Sequence, residues 1–370
     1  MKRKLSAIAV AAALACAYTG ALWADTGTIT QTGDGHEAHI TQTSVSNAST
    51  ASVTQTGSGN TANVTQQNSS QPMHATVSSS GSGQNATVFQ EDSWNAVANV
   101  NQSGGSNNTA SISQTNTSDN FGETLTTATI NQTASTNSLA TINQSNADGT
   151  SATIDQVGNF GAASDATITQ QGVLLSTESI FQNTTDASSS ITQTAGSQLT
   201  ASIVNSDARG SDATITQTGS VNNASIQQRS LSTSSGSSFS DFANAIIDQS
   251  GSGNSAAIDQ AGAFTSNATI NQGGSDNTAN INQSSDHSNA TVNQAAETSG
   301  NVATVNQSNG FYNDALIQQS ASSNVATINQ SGNGTAESRN SATVTQLSAG
   351  NNATISQSGG AGNVATITQN

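Results

Sequence analysis

Charge is scarce in this sequence. Asp, Glu, Lys and Arg make up 8% of its 370 residues, where a globular chain carries about a quarter. Aromatic residues make up 3% and hydrophobic residues 32%, too little for one large apolar core. There is one proline, Pro72, and one cysteine, Cys16. A lone cysteine excludes a disulfide within the chain. Disorder usually brings many charges and prolines, and neither is present. The longest apolar stretch, Leu5 to Ala17, is too short to cross a bilayer as a helix. What remains is Ser, Thr, Asn and Gln, with Val and Ile at fixed places. That mixture suits stacked strands.

The first residues form a targeting signal. Lys2, Arg3 and Lys4 are a positive head, and Leu5 to Ala17 is the apolar segment. Leu22-Trp23-Ala24 places a small residue for cleavage after Ala24. The expected organisation is a Sec signal peptide over 1–24 and one repeat domain over 25–370. A lipoprotein signal, Ala13-Leu14-Ala15 before Cys16, is the rival reading, with Ala13 where Leu is usual. Cleavage removes Cys16 and both lysines. Three arginines, Arg209, Arg229 and Arg339, then stand against 22 acids, a net charge of −19. Such a chain cannot neutralise a phosphate backbone, so nucleic acid and anionic lipid are poor partners. The charge favours solubility.

Repeats dominate the rest. Gln55-Thr56-Gly57-Ser58-Gly59-Asn60-Thr61-Ala62-Asn63-Val64-Thr65-Gln66 has counterparts at Gln217 to Gln228 and Gln249 to Gln260. The shared pattern is Q-x-G-x-x-N-x-A-x-[IV]-x-Q, in about 28 units between Gln31 and Gln369. Within a unit, Asn60, Ala62, Val64 and Gln66 alternate with Thr61, Asn63 and Thr65. Period two puts the first set on one face of a strand, whereas a helix would scatter them. Each unit therefore reads as a half-buried strand and a Gly-containing turn.

One such strand buries little, and stacking supplies the rest. The predicted fold is all-β: a β-solenoid of strand–turn–strand coils with two facing parallel sheets. Two units give a coil of about 23 residues, with coils about 4.8 Å apart. Some 14 such coils would form a rod roughly 65 Å long. Ile and Val lie over Ile and Val, Ala over Ala, Gln over Gln. The predicted inward columns hold Gln55, Asn60, Ala62, Val64 and Gln66; Gln217, Asn222, Ala224, Ile226 and Gln228; and Gln249, Asn254, Ala256, Ile258 and Gln260. Gln and Asn amides donate and accept along such a stack as ladders. Buried polar groups, each costing a few kcal/mol if unpaired, are thereby satisfied.

The pattern Q-x-G-x-x-N-x-A-x-x-x-Q resembles the curlin repeat of the curli amyloid subunits, over nearly all of the chain from Gly27 to Asn370. The resemblance implies strand–turn–strand coils with stacked inward Gln and Asn. It implies a subunit exported through outer-membrane secretion machinery, nucleated by a partner subunit, and polymerised head to tail with copies of itself into adhesive biofilm fibres. It implies no cofactor. The chain departs from the family in length and in having no separate export segment after the signal, since repeats begin at Ile29 and Gln31. Wider gaps separate Gln114 from Gln132, Gln228 from Gln249 and Gln330 from Gln346, and Leu231 to Phe239 reads as a protruding loop. The unit around Ala75-Thr76-Val77 follows Pro72 and has Ser79 in place of Gln, so a local flaw or edge is expected there. Asn205 replaces Gln and keeps the amide. The last unit, Asn363 to Gln369, and the first both read as edges ready to accept another strand.

Catalytic and metal readings find little support. His36 and His39 fall on opposite faces of a strand, with His36 in the place of the inward Asn and His39 outward. No His–acid pair stands ready to activate a serine. Gly81-Ser82-Gly83 lacks the lysine of a phosphate cradle. Trp94, Phe121, Phe311 and Tyr312 are expected to fill turns or corners. Three further readings stay open: a minor nucleator of the same fibre, a non-polymerising adhesin, and an ice-binding solenoid built on outward pairs such as Thr167 and Thr169. Outward Asn143, Asp155 and Asn271 break the last array. Replacing Gln55, Gln66, Gln249 and Gln260 by Ala is expected to slow fibre growth.

Overall fold

A computed structural model describes residues 25–45, 48–118, 125–158, 163–229 and 242–370. The signal segment 1–24, the loop expected at Leu231 to Phe239, and Phe121 lie outside the described residues. Every regular element among the described residues is a β-strand. The chain divides into two units, Met1–Ser176 and Thr177–Asn370.

In the first unit twelve strands run from Thr26–Asp34 to Asp165–Leu174. Alternate strands pair side by side, giving two parallel sheets with six strands each. The second unit repeats the plan with sixteen strands, Thr177–Asn183 to Val364–Gln369, eight in each sheet. Each unit is thus a β-solenoid, and a coil is one strand from each sheet. Residues in register are most often 24 apart along the chain. The shortest coils advance 22 residues, and two longer ones advance 30 and 32.

Register follows from the pattern. In the pairing of Thr61–Gln67 with Asn85–Glu91, Ala62 meets Ala86, Val64 meets Val88 and Gln66 meets Gln90. A slip of one residue would turn Ala, Val and Gln outward and Thr and Asn inward. Burial alternates accordingly, as in Thr109–Thr115, where Ala110, Ile112 and Gln114 are buried and the residues between them half-buried. Both sheets turn these residues inward, so the core is a thin slab of Ala, Ile, Val and Gln between them.

The outer faces carry polar columns instead of covering helices. Asn101, Asn131 and Asp155 are linked outward at 2.9 and 2.6 Å, and Asn282, Asn306 and Asn329 at 2.8 Å each. Outward acids stand beside neutral neighbours, as Asp248 does between Thr216 and Asn271, which avoids like charges one strand spacing apart.

The turns need glycine for a steric reason as well as a conformational one. Gly57 has φ of 106°, and a Cβ there would run into the carbonyl oxygen of Gly81 in the next coil. Two residues on, Gly59 has φ of 63° and open space around its missing side chain. Its requirement is the left-handed backbone alone.

Candidate functional site: the inward amide columns

The structure buries all fifteen residues named above. Ala62, Val64, Ala224, Ile226, Ala256 and Ile258 are 3% exposed or less. Gln55, Gln66, Gln217, Gln228, Gln249 and Gln260 are fully buried, and Asn60, Asn222 and Asn254 nearly so.

The glutamines make continuous columns. In the first unit Gln42 donates to Gln66, then Gln66 to Gln90, Gln90 to Gln114, Gln114 to Gln144 and Gln144 to Gln170, each Nε2 to the next Oε1 at 2.7–2.8 Å. In the second unit one column runs from Gln193 through Gln217, Gln249, Gln272, Gln294, Gln319 and Gln346 to Gln369 at 2.8–2.9 Å. The other runs from Gln228 through Gln260, Gln283, Gln307 and Gln330 to Gln357 at 2.8–2.9 Å. Every column has the same polarity, with the donor in the earlier coil.

Most of the inward glutamines also clasp the two sheets, which the one-letter pattern did not disclose; Gln170, whose buried Nε2 has no partner, is an exception. The second Nε2 proton points across the core to a backbone carbonyl near the start of a strand in the opposite sheet. Gln66 donates to the Thr50 carbonyl at 3.1 Å, Gln217 to Thr200 at 3.1 Å, and Gln249 to Asn223 at 3.1 Å. A third carbonyl, such as that of Met73 for Gln66, lies within 3.1 Å at the turn. The primary amide is thus satisfied along the stack and across it, so its burial carries little penalty.

The asparagines depart from the expected ladder. Their side chains bond mainly to backbone. Asn60 Nδ2 donates to the Thr56 carbonyl at 2.9 Å, and Asn60 Oδ1 accepts the Gln84 N–H at 2.9 Å. Asn222 and Asn254 repeat this, donating to Thr218 and Ser250 at 2.8 and 2.7 Å. Their Oδ1 atoms accept the backbone N–H of Asn254 and Asn277 at 2.9 and 3.0 Å. At the corner the amide meets a carbonyl of its own turn and an N–H of the next coil, so it bonds to backbone there, whereas outward Asn residues such as Asn282 and Asn306 bond side chain to side chain. His36 fills the same place, with Nε2 3.1 Å from the Thr32 carbonyl and Nδ1 accepting the Asn60 N–H at 3.3 Å. His39 is exposed and lies 2.9 Å from Glu37.

Two irregular units resolve differently from expectation. The strand Met73–Ser82 pairs on both sides and is no edge. Pro72 precedes it, where no ladder donor is needed. The flaw is confined to the column, where Ser79 Oγ donates to Gln102 Oε1 at 3.1 Å and Gln55 Nε2 turns to the Glu37 carbonyl at 3.2 Å. Asn205 keeps the amide but breaks the column. It is one methylene short of Gln228, whose Oε1 is left without a partner, and it donates instead to Ser189 Oγ at 3.0 Å. Nearby, Glu178 and Ser189 occupy inward Ala positions and are buried. These two exceptions passed unnoticed in the sequence.

The wide gap before Gln346 packs against a corner of the second unit. Arg339 holds Asp314 with two bonds of 2.6 and 2.7 Å, donates to the His287 carbonyl at 2.6 Å, and lies 5.3 Å from the Tyr312 ring. Phe242, Phe264, His287 and Tyr312 line up along that corner, with successive ring centroids 6.4, 5.4 and 4.9 Å apart. Tyr312 was expected at a corner, but the column itself was missed. Its signal is a ring residue one to three positions ahead of each of four strands that are in register one coil apart. Trp94 lies exposed in a turn.

Comparison with known proteins adds a family. The model of the curlin associated repeat matches residues 24–57, a span that takes in the strands Thr26–Asp34 and Glu37–Thr43 and most of Thr50–Ser58. A search of curated proteins gives no match. The matched strands carry the Ile and Gln columns at Ile29, Gln31, Ile40 and Gln42, and the next coils pair with them in register. Residues 24–57 thus carry the curlin associated repeat, and the match supports a curlin-repeat assignment.

Proposed function

We propose that this chain is a secreted structural subunit that polymerises into curli-like amyloid fibres at the bacterial cell surface, without catalysis or cofactor. The observation that carries this reading is the polarity of the glutamine columns. Along the unbroken columns each coil presents Nε2 donors on one side and Oε1 acceptors on the other, at 2.7–2.9 Å. A coil from another copy can join such a stack by the same bonds that join one coil to the next, which is templated strand addition. The dry, in-register columns of identical side chains are those of a cross-β fibre. The family match supports the same reading. Export through outer-membrane machinery, a nucleating partner, and roles in adhesion and biofilm matrix belong to this proposal.

The test is thioflavin-T fluorescence of the purified chain over time, with fibre diffraction of the product. A lag, a rise, and reflections near 4.7 and 10 Å are expected, about the strand and sheet spacings. A chain that stays monomeric and rich in β-structure refutes polymerisation and leaves a non-polymerising adhesin.

A further inference from the structure

Two inward corner columns run along each unit, occupied by the residues in register with Ser49 and Asn60, at the first position of each strand or just before it. Their occupants are neutral throughout, as at Asn60, Gln84 and Asn108, except in the first coil. There the two corners hold Asp25 and His36, ahead of the strands Thr26–Asp34 and Glu37–Thr43. Ionisable groups therefore stand in the first described coil at positions that the other described coils keep uncharged.

We infer that this first coil is the docking surface for the last coil of a second copy, and that docking requires a neutral His36. The inference rests on the polymerisation reading above. The two coils are complementary. Inward residues of Thr26–Asp34 and Glu37–Thr43 are only half-buried, as are those of Val364–Gln369, whereas equivalents in inner coils are buried. Continuing the observed register would set Ile355 beside Ile29 and Ile367 beside Ile40. Gln357 Nε2 would face Gln31 Oε1, Gln369 Nε2 would face Gln42 Oε1, and Asn363 Oδ1 would take the backbone N–H of His36, as Asn340 Oδ1 takes that of Asn363 at 3.0 Å.

His36 can act as an asparagine in one state only. Its Nε2 sits against a carbonyl and its Nδ1 against an N–H, so the ring must carry its proton on Nε2 alone. A second proton on Nδ1 would point at the Asn60 N–H and replace an acceptor by a donor. The corner that ties the first coil to the second would then open, and the template with it. Imidazole changes charge between pH 5 and 8. Asp34, Glu37 and His39 are the titratable residues nearest His36 in sequence on its own coil, the facing stretch Thr56–Thr61 is neutral, and so is Gly359–Asn363 of the incoming copy. Asp25 acts in the opposite sense. Burial raises its pKa, an effect partly offset by the hydrogen bond from the Ser49 N–H at 3.2 Å. Acid therefore removes charge at that corner, and the loss on acidification belongs to His36.

The experiment is seeded elongation of the secreted, processed chain from pH 8 to pH 5, with His36→Asn, His39→Asn and Asp25→Asn as added variants. A required neutral ring costs about tenfold per pH unit once it charges. The wild type is expected to slow at least tenfold, His39→Asn likewise, and His36→Asn to stay within about twofold. Asp25→Asn should keep the acid loss. His36→Asn restores the residue found at Asn60, so it preserves the corner bonds. Elongation of His36→Asn that falls as the wild type does, or a flat wild-type profile, overturns the inference while leaving polymerisation intact. A wild type that elongates at no pH refutes polymerisation and this inference with it.

Discussion

Gln66 and Gln67 are adjacent in sequence and differ in almost every physical respect, so their truncation separates the inward column from the surface. Gln66 is fully buried. It accepts from Gln42 at 2.8 Å and donates to Gln90 at 2.8 Å, to the Thr50 carbonyl at 3.1 Å and to the Met73 carbonyl at 3.1 Å. Gln66→Ala deletes these bonds, leaves Gln90 Oε1 buried without its donor, and opens a void between the sheets. At about 1 kcal/mol for each net hydrogen bond, and more for a stranded acceptor and a cavity, the loss is about 4 kcal/mol. Gln67 points outward, is half-buried, and donates to Glu91 at 2.6 Å. Gln67→Ala should cost under about 1 kcal/mol. Coils interact chiefly with their neighbours, so the damage should be local. Hydrogen exchange read by mass spectrometry is the assay, supported by urea midpoints. Amides of Glu37–Thr43, Thr61–Gln67 and Asn85–Glu91 should lose protection in Gln66→Ala, with distant coils unchanged. Equal effects from the two substitutions, or a loss below about 1 kcal/mol at Gln66, would refute the claim that the amide columns bind the sheets.

Two further predictions address the exceptions in the pattern. Asn205→Gln should rejoin the column by supplying the missing methylene and a donor to Gln228 Oε1. A gain of about 1 kcal/mol in thermal or urea unfolding is expected, and a loss would mean that the Ser189 contact matters more than the column. Gly57→Ala should cost well over 2 kcal/mol, because the new methyl meets the Gly81 carbonyl and the backbone cannot give way. Gly59→Ala should cost only about 1 kcal/mol for its left-handed φ. Circular-dichroism melts of the pair measure the contrast, and similar melting points would remove the steric argument.

Much of the fold was legible because two periods are written directly into the chain. Ala62, Val64 and Gln66 recur at alternate positions, and the same trio returns at Ala86, Val88 and Gln90 one coil later. Exceptions were harder to read. Ser79 looked like a broken edge beside Pro72, yet its strand keeps both neighbours, because parallel pairing uses the backbone and tolerates one wrong side chain. Asn205 looked conservative, yet one methylene decides whether an amide reaches the next coil. Glu178 gave no warning, since a single acid in a polar chain carries no sign of being buried.

Strand, turn and inward face were determined by the sequence alone, because they depend on local alternation and on glycine and asparagine placed at fixed intervals. The tertiary structure decided where each amide bonds. A glutamine such as Gln249 pairs with Gln272 along the stack and with the Asn223 carbonyl across it, and no spacing in the chain encodes the second partner. The amide of an inward corner asparagine meets the backbone of its own turn, as at Asn254, and of the next coil, as at Asn222, because its place beside the turn puts those groups in reach. The stacked rings of His287 and Tyr312, 4.9 Å apart, likewise meet only when coils of unequal length are brought into register. Local periodicity fixes which way a side chain points, while the distance between facing sheets and stacked coils fixes what it can reach.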